Sequence, residues 1–404
     1  MLSFEAARKL ILDSVSPRGV ERVEILESLG RTLAEEIVAP WDLPAADNSA
    51  MDGYAVIASD CLEPAALEVI GHIPAGAVST VAVSSGFAFK IMTGARTPPG
   101  CDAVAPIEET EEQGNRVFIK RPVRKGQHIR YKGEDVREGE SVVTAGTIIR
   151  PTEISMLASC GRVFVPVYRK PTVAILSTGD ELIELGEPAA PGRIINSNAL
   201  SLAASVREAG CEPIMLGIAR DNHEDHRRKM IEGFKSDALI TSAGVSAGDH
   251  DHVRDVLKEL GVEHKFWKVA MKPGGPTAFG MKDGTPVFSL PGNPVSTMVT
   301  FEIFVRPALL RMLGRQRVIR PTVTVTLAEE VSKKAGKVQF VRLRLERDGR
   351  GFRGRSSGDQ HTGILKTMLM ADAMAVLPAE ATRFAAGAEV DAYLLREDAG
   401  MLEG

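Results

Sequence analysis

Between residues 170 and 318, short apolar runs alternate with helical patterns, and no other feature limits the possible folds of this chain so strongly. The runs Thr172–Leu176, Ile214–Ala219, Ala238–Thr241, Phe266–Ala270 and Pro286–Leu290 read as strands. Between and after them, Ala199–Ala209, Glu224–Lys235, His252–Leu260 and Val295–Leu313 carry the helical period, and Gly210, Gly261 and Gly314 stand where three of them should stop. Strand–helix alternation of this kind argues a mainly parallel sheet with helices on both faces.

The flanks read differently. Residues 1–47 look helical, with Phe4, Ala7, Leu10 and Ile11 at helical spacing, and end in Pro40 and Pro44. Residues 48–135 are β-like, alternating apolar and polar positions between Gly and Pro. Residues 136–168 hold a Gly-rich turn and a helix predicted over Thr152–Cys160, closed by Gly161. After Pro321 the period returns to two, which predicts a small all-β tail domain. With 404 residues and about 150 per domain, two to three domains are expected.

Composition removes several function classes. Apolar residues at 44% and charged residues at 25% exclude wholesale disorder, collagen and coiled coil. A formal net charge of −4 is too small for a chain-wide field directed at nucleic acid or membrane. The four cysteines at 61, 101, 160 and 211 have no zinc spacing and suit a reducing compartment. The N-terminus lacks the continuous apolar core of a signal peptide, and no apolar run reaches about 18 residues, so a cytoplasmic protein is expected.

Three strand ends of the α/β region carry small, glycine-rich turns. They hold Ser177, Thr178, Gly179 and Asp180; Ser242, Gly244, Ser246 and Gly248; and Pro291, Gly292, Asn293 and Ser296. Ligands of open α/β sheets bind beyond the carboxyl ends of the strands, and such turns let backbone N–H groups approach an anion. A tight strand-to-helix turn needs glycine anyway, but three in one domain point to a phosphate-bearing ligand. Asp180, Glu181, Asp221, Asp249 and Asp251 fall at the same edge, and carboxylates beside ligand phosphates suit Mg²⁺. Helix capping by Asp221 and Asp249 is the competing reading. His250 and His252 lack a third placed metal ligand, and His223 and His226 read as surface residues.

The GxGxxG match at 349–354 sits between two β segments, so it is a turn and no dinucleotide fingerprint. Ser-x-Gly-Asp occurs three times, at Ser177, Ser246 and Ser356, as shared turn chemistry without duplication. Residues 306–355 hold 14 Lys and Arg against 4 Asp and Glu, which is either a solvated β face or a basic wall for an anion.

Asp47-Asn-Ser-Ala-Met-Asp-Gly-Tyr-Ala, Ser177-Thr-Gly-Asp-Glu-Leu, the Ser242–Asp251 loop, Lys272-Pro-Gly and Leu290-Pro-Gly-Asn-Pro-Val-Ser resemble, in the same order, the molybdopterin molybdenumtransferase family. That family includes bacterial MoeA and the gephyrin E domain. The resemblance implies an elongated, multidomain homodimer whose doubly wound α/β domain is MogA-like. Its expected parts are a linker-like domain of residues 1–47 and 136–169, an inserted β-rich domain of 48–135, the α/β molybdopterin-binding domain of 170–318 and a C-terminal β-barrel of 319–404.

The implied reaction is insertion of molybdate into adenylated molybdopterin, assisted by Mg²⁺ and releasing AMP, the last step of molybdenum cofactor biosynthesis. Carried over by motif, Asp52, Asp135, Glu181, Asp221 and Asp251 resemble the functional acids, with Asp52 and Asp135 reaching the pterin site across the dimer. Glu181, Asp221, Asp249 and Asp251 are the expected metal ligands. Lys272, Arg342 or Arg344, Thr367 and Ser296 resemble oxyanion-binding positions. Implied partners are a molybdopterin adenylyltransferase and molybdoenzyme acceptors or their chaperones.

Two positions depart from the family pattern. Gly275 replaces the second lysine of Lys-Pro-Gly-Lys-Pro, which Lys265 or Lys268 could offset. Ala243 replaces a glycine, and its methyl group is expected to restrict the loop. The alternatives are a pterin-binding or scaffolding paralogue with weak insertion, a receptor scaffold as in gephyrin, and the related adenylyltransferase, which would consume ATP.

Overall fold

The computed structural model describes residues 1–188, 190–244, 252–349 and 351–396. The chain forms two compact units, one of Val23–Leu29 and Glu35–Val165, the other of Met1–Arg22, Gly30–Ala34 and the chain from Pro166 onward.

The smaller unit is built on a six-stranded sheet in the order Ala103–Pro106, Gly53–Val56, Phe87–Ile91, Ala65–Ile73, Arg116–Ile119, Thr110–Gln113. Period two sorts its side chains onto two faces: Tyr54 and Val56 join one apolar cluster, and Ala55, Phe89 and Val104 join the other. At Gly53 a Cβ would overlap the Ala105 carbonyl oxygen of the adjacent strand. The glycine of Met-Asp-Gly-Tyr is therefore a requirement of strand packing.

In the larger unit, Ser3 caps the helix Phe4–Ser14 by accepting from the Ala6 N–H at 3.2 Å. Its buried face, Phe4, Ala7 and Ile11, joins the main core, where Phe4 meets the Phe340 ring edge-on at 5.1 Å. The helical reading of residues 1–47 stops there. Beyond Ser14 the structure has short strands and one 3₁₀ turn, Leu26–Ser28. Pro17 and the left-handed Gly19 and Gly30 break a longer helix.

The α/β sheet runs Glu212–Ala219, Thr172–Thr178, Ala238–Ser242, Thr285–Leu290, Ala278–Lys282, Glu263–Phe266. The first four strands are parallel and the last two antiparallel. Along the central strand, Val173 and Ile175 pack under helices Ser197–Glu208 and Pro294–Thr300, while Ala174 and Leu176 pack under His223–Gly233 and His252–Glu259. Both faces are covered, as in a doubly wound sheet. The chain leaves Thr172–Thr178 to one side and returns on the other, so its carboxyl end is a topological switch point.

Three details differ from the sequence reading. The strand expected at Phe266–Ala270 lies earlier, at Glu263–Phe266. Ala278–Lys282 was not anticipated, although Asp283-Gly284, both at positive φ, forms the two-residue hairpin turn into Thr285–Leu290. The long helix from Val295 is interrupted by a π turn at Phe301–Val305, just before Pro307, which has no N–H to continue the ladder.

In the tail, Thr322–Leu327, Gly351–Ser356, Val338–Asp348, Ala373–Leu377 and Glu389–Leu394 pair in a closed ring, a five-stranded barrel. Val341, Leu343 and Leu345 fill its interior. The 349–354 glycines fall at the hairpin between the second and third of these strands.

Candidate active site

A cavity of about 490 Å³ opens at the switch point. Thr178, Glu181, Asn196, Asn198, Ser242, Ala243, Gly244, Pro276, Pro291, Gly292 and Asn293 are in its wall. All three glycine-rich turns reach this cavity, through Thr178, through Ser242 and Gly244, and through Pro291 to Asn293.

Local chemistry fixes each turn. Ser177 is buried behind the wall and donates to Asn196 Oδ1 at 2.9 Å. Gly179 takes φ +137, and the Asp180 and Asp221 loops hold each other: Asp180 N–H donates to Asp221 Oδ2 at 3.3 Å and Asp221 N–H to Asp180 Oδ1 at 3.1 Å. Asp221 is thus no helix cap; Asn222 caps the next helix by accepting from the Asp225 N–H. In the third Ser-x-Gly-Asp turn Gly358 also takes a positive φ, +127.

Gly244 has φ +73, and a Cβ there would overlap Val253. Beside it, Ala243 also takes a left-handed backbone, φ +77. The expectation that alanine would restrict this loop is therefore corrected: the backbone adopts the glycine-like conformation, at a cost of about 1–2 kcal/mol.

Two asparagines escaped the sequence reading. Asn198 Nδ2 donates to the Gly292 carbonyl at 2.8 Å and the Ser242 hydroxyl at 3.2 Å, tying two turns together. Asn196 caps helix Ser197–Glu208. The cap signal in Asn196-Ser-Asn198 was available and would have placed both at a strand–helix junction.

None of the expected oxyanion residues lines the cavity itself. Ser296 is buried one turn into helix Pro294–Thr300. Arg342 has no exposed surface, and its Nε donates to Thr367 Oγ1 at 2.9 Å. Arg344 lies on the same strand face but is exposed, so Arg342 is the internal arginine. Arg342 Nη2 donates to the carbonyls of Asp359 and His361 at 3.1 and 3.4 Å, while Nη1 is buried without a partner among the described residues. Burial lowers its pKa, opposed by the charge of Asp359. The same loop reaches the cavity wall through Thr362, whose hydroxyl accepts from Asn293 Nδ2 at 3.1 Å. Lys272 is exposed and lines a separate cleft instead of the cavity. Lys265 is paired with Glu263. At Gly275 a Cβ would stand 3.1 Å from the Met271 carbonyl oxygen, so the position is tight for any side chain.

Of the expected metal ligands, Glu181 lines the cavity and Asp221 braces Asp180. Asp249 and Asp251, with Ser246, Gly248 and His250, lie outside the described residues. Among the described residues no group of three or more His, Cys, Asp or Glu is gathered to hold a metal. His226 is buried against His252, with ring centroids 5.7 Å apart, which corrects its reading as a surface residue. His223 is exposed and paired with Glu259.

In the smaller unit, Asp52 Oδ1 accepts from both N–H and Oγ1 of Thr93 at 2.7 Å. These bonds hold its pKa below the usual carboxylate range and leave Oδ2 available. Asp135 is exposed, with its N–H on the Leu43 carbonyl at 3.1 Å.

Family models cover nearly the entire chain. The MoeA N-terminal region (domain I and II) matches residues 2–161, a probable molybdopterin binding domain matches 174–311, and the MoeA C-terminal region (domain IV) matches 324–395. The molybdopterin molybdenumtransferase 2 of Mycobacterium tuberculosis (strain ATCC 25618 / H37Rv) is 36% identical over 97% of this chain and 99% of its own length. The chain belongs to the molybdopterin molybdenumtransferase family. These are transferases of molybdenum cofactor biosynthesis. The Haemophilus influenzae relative is 38% identical over 85% of both chains. The crystal structure of the molybdopterin biosynthesis MoeA protein from Pyrococcus horikoshii OT3 superposes with a TM-score of 0.83 at 32% identity, covering 98% of this chain and 100% of that one. No helix of the described residues is long and apolar enough to cross a membrane.

Proposed function

We propose that this chain inserts molybdenum from molybdate into adenylated molybdopterin, with cleavage of the phosphoanhydride and release of AMP. The observation that carries the reading is Arg342, a fully buried guanidinium without an ion-pair partner among the described residues, bonded to the loop whose Thr362 meets the cavity wall. A buried cation of this kind calls for an anion. Within such a site, preorganised donors hold the reacting oxyanions and no protein nucleophile is required. Arg342, Thr367 and Ser296 would bind the oxyanion, while the turn amides of Gly244 and Gly292 would face the pterin and nucleotide phosphates.

Glu181, in the cavity wall, and Asp221, whose Oδ2 accepts from the Asp180 N–H, are the described carboxylates that would hold a hard divalent cation. Mg²⁺ there would neutralise phosphoanhydride charge. Asp52 and Asp135 are assigned to the cavity of the opposite copy in a homodimer, in the cytoplasm, with an adenylyltransferase upstream and molybdoenzyme acceptors or their chaperones downstream. A second reading, the binding or scaffolding paralogue, is favoured by Gly275 alone. Adenylated molybdopterin incubated with Mg²⁺, with and without molybdate, separates them. Molybdate-dependent AMP release supports insertion; tight binding without release supports the paralogue.

A further inference from the structure

Asn293 stands at the head of helix Pro294–Thr300, where an asparagine side chain ordinarily accepts the N–H of the second or third helical residue. Here it makes no such cap bond. Its amide donates outward to the Thr362 hydroxyl at 3.1 Å, and the Thr362 carbonyl accepts the Val295 N–H at 3.2 Å, in the place the missing cap would fill. The cavity turn therefore gives up its local cap for two bonds to one residue of the tail domain.

The residues just before Thr362 hold Arg342. The Asp359 and His361 carbonyls accept from its guanidinium. The Gln360 side chain meets its backbone as a neighbouring strand would: Oε1 accepts the Arg342 N–H at 3.0 Å, and Nε2 donates to the Arg342 carbonyl at 3.2 Å. Gln360 Nε2 also donates to the Gly358 carbonyl at 3.0 Å, and the His361 N–H to Asp359 Oδ1 at 2.9 Å, so the strap is braced against itself. Three consecutive residues thus grip the buried arginine, and the fourth grips the cavity turn. From the other side, Asn198 holds the same turn through the Gly292 carbonyl at 2.8 Å.

We propose that Thr362 is a positioning residue that couples the two subsites of the proposed reaction: a nucleotide phosphate on the cavity turn tightens oxyanion binding at Arg342, and the reverse. Gly292 and Asn293 are exposed and in the cavity wall, so a ligand touching them restrains the turn. The restraint reaches Arg342 through Thr362 and the strap, and ordering imposed by the first ligand is not needed again for the second. By linkage the effect is the same in both directions. Direct interaction of the two anions acts in the opposite sense, because like charges repel, so the sign of the coupling identifies its route. The proposal rests on the insertion reading for where the two anions sit, and adds how they depend on each other.

Isothermal titration of the full chain with molybdate, alone and with saturating AMP, tests it. AMP should tighten molybdate binding by about fivefold or more, the lower end of ordinary coupling between sites. Thr362→Val removes the hydroxyl and keeps the carbonyl bond to Val295; each ligand alone should bind as in the wild type while the coupling disappears. Thr362→Ser keeps the hydroxyl and should keep the coupling. A residue with a merely structural role would change the single-ligand affinities instead, and that result would overturn the proposal. So would molybdate binding that AMP leaves unchanged or weakens, undiminished coupling in the valine variant, or a serine variant as uncoupled as the valine one. Molybdate-dependent AMP release from adenylated molybdopterin without coupling removes the proposal and leaves the insertion reading standing; coupling without release does the reverse.

Discussion

A guanidinium with no exposed surface needs compensation, and Arg342 receives only part of it from Thr367 and two carbonyls. Asp52 shows the reverse arrangement, a half-buried carboxylate fixed by the N–H and hydroxyl of Thr93. Because those bonds lower its pKa, Asp52 stays ionised as the pH falls through the usual carboxylate range. Asp52→Asn keeps the size and loses the charge, so the fold should persist while AMP release drops about ten- to a hundredfold. Circular dichroism and the release assay together check this, and a normal rate would remove Asp52 from the site. Ala243 holds a left-handed backbone that glycine adopts freely. Ala243→Gly should therefore raise stability by about 1 kcal/mol, read as an upward shift of the urea midpoint.

Elements differ in how openly the sequence declares them. The four parallel strands were legible because strands covered on both faces read as continuous apolar runs. The edge hairpin is legible only through its turn, Asp283-Gly284, which joins strands of ordinary length. The turns around the cavity were legible through their glycines, whereas Asn196 and Asn198 look like ordinary caps until their partners are known. Period two places Arg342 and Arg344 on one face, and only the loop bearing Asp359 and His361 distinguishes them.

Helix Pro151–Ser159 provides a test at this scale. Glu153 accepts from the N–H of Arg150 at 2.8 Å and from its guanidinium at 2.7 Å, which lowers its pKa to about 2. A depressed carboxyl contributes stability in full above its ordinary value near 4.5 and loses it as pH falls through about 2. Glu153→Gln should cost about 1 kcal/mol at neutral pH. Melting curves of both proteins should converge towards pH 2; a gap independent of pH would assign the effect to packing.

At the scale of the whole molecule, the homodimer is the claim with most consequence, since it assigns Asp52 and Glu181 of one site to different chains. Mixing the impaired Asp52→Asn and Glu181→Gln chains, then reassociating them, would leave about a quarter of the sites intact under random pairing. Recovery of AMP release to about that fraction supports a shared site. No recovery would place both residues in the site of one chain.

The central claim is transfer of molybdenum, and its most direct measurement is AMP release from adenylated molybdopterin with Mg²⁺, with and without molybdate. Release that depends on molybdate, with molybdenum retained on the pterin, is the expected result. Tight pterin binding without AMP release at any molybdate concentration would contradict it.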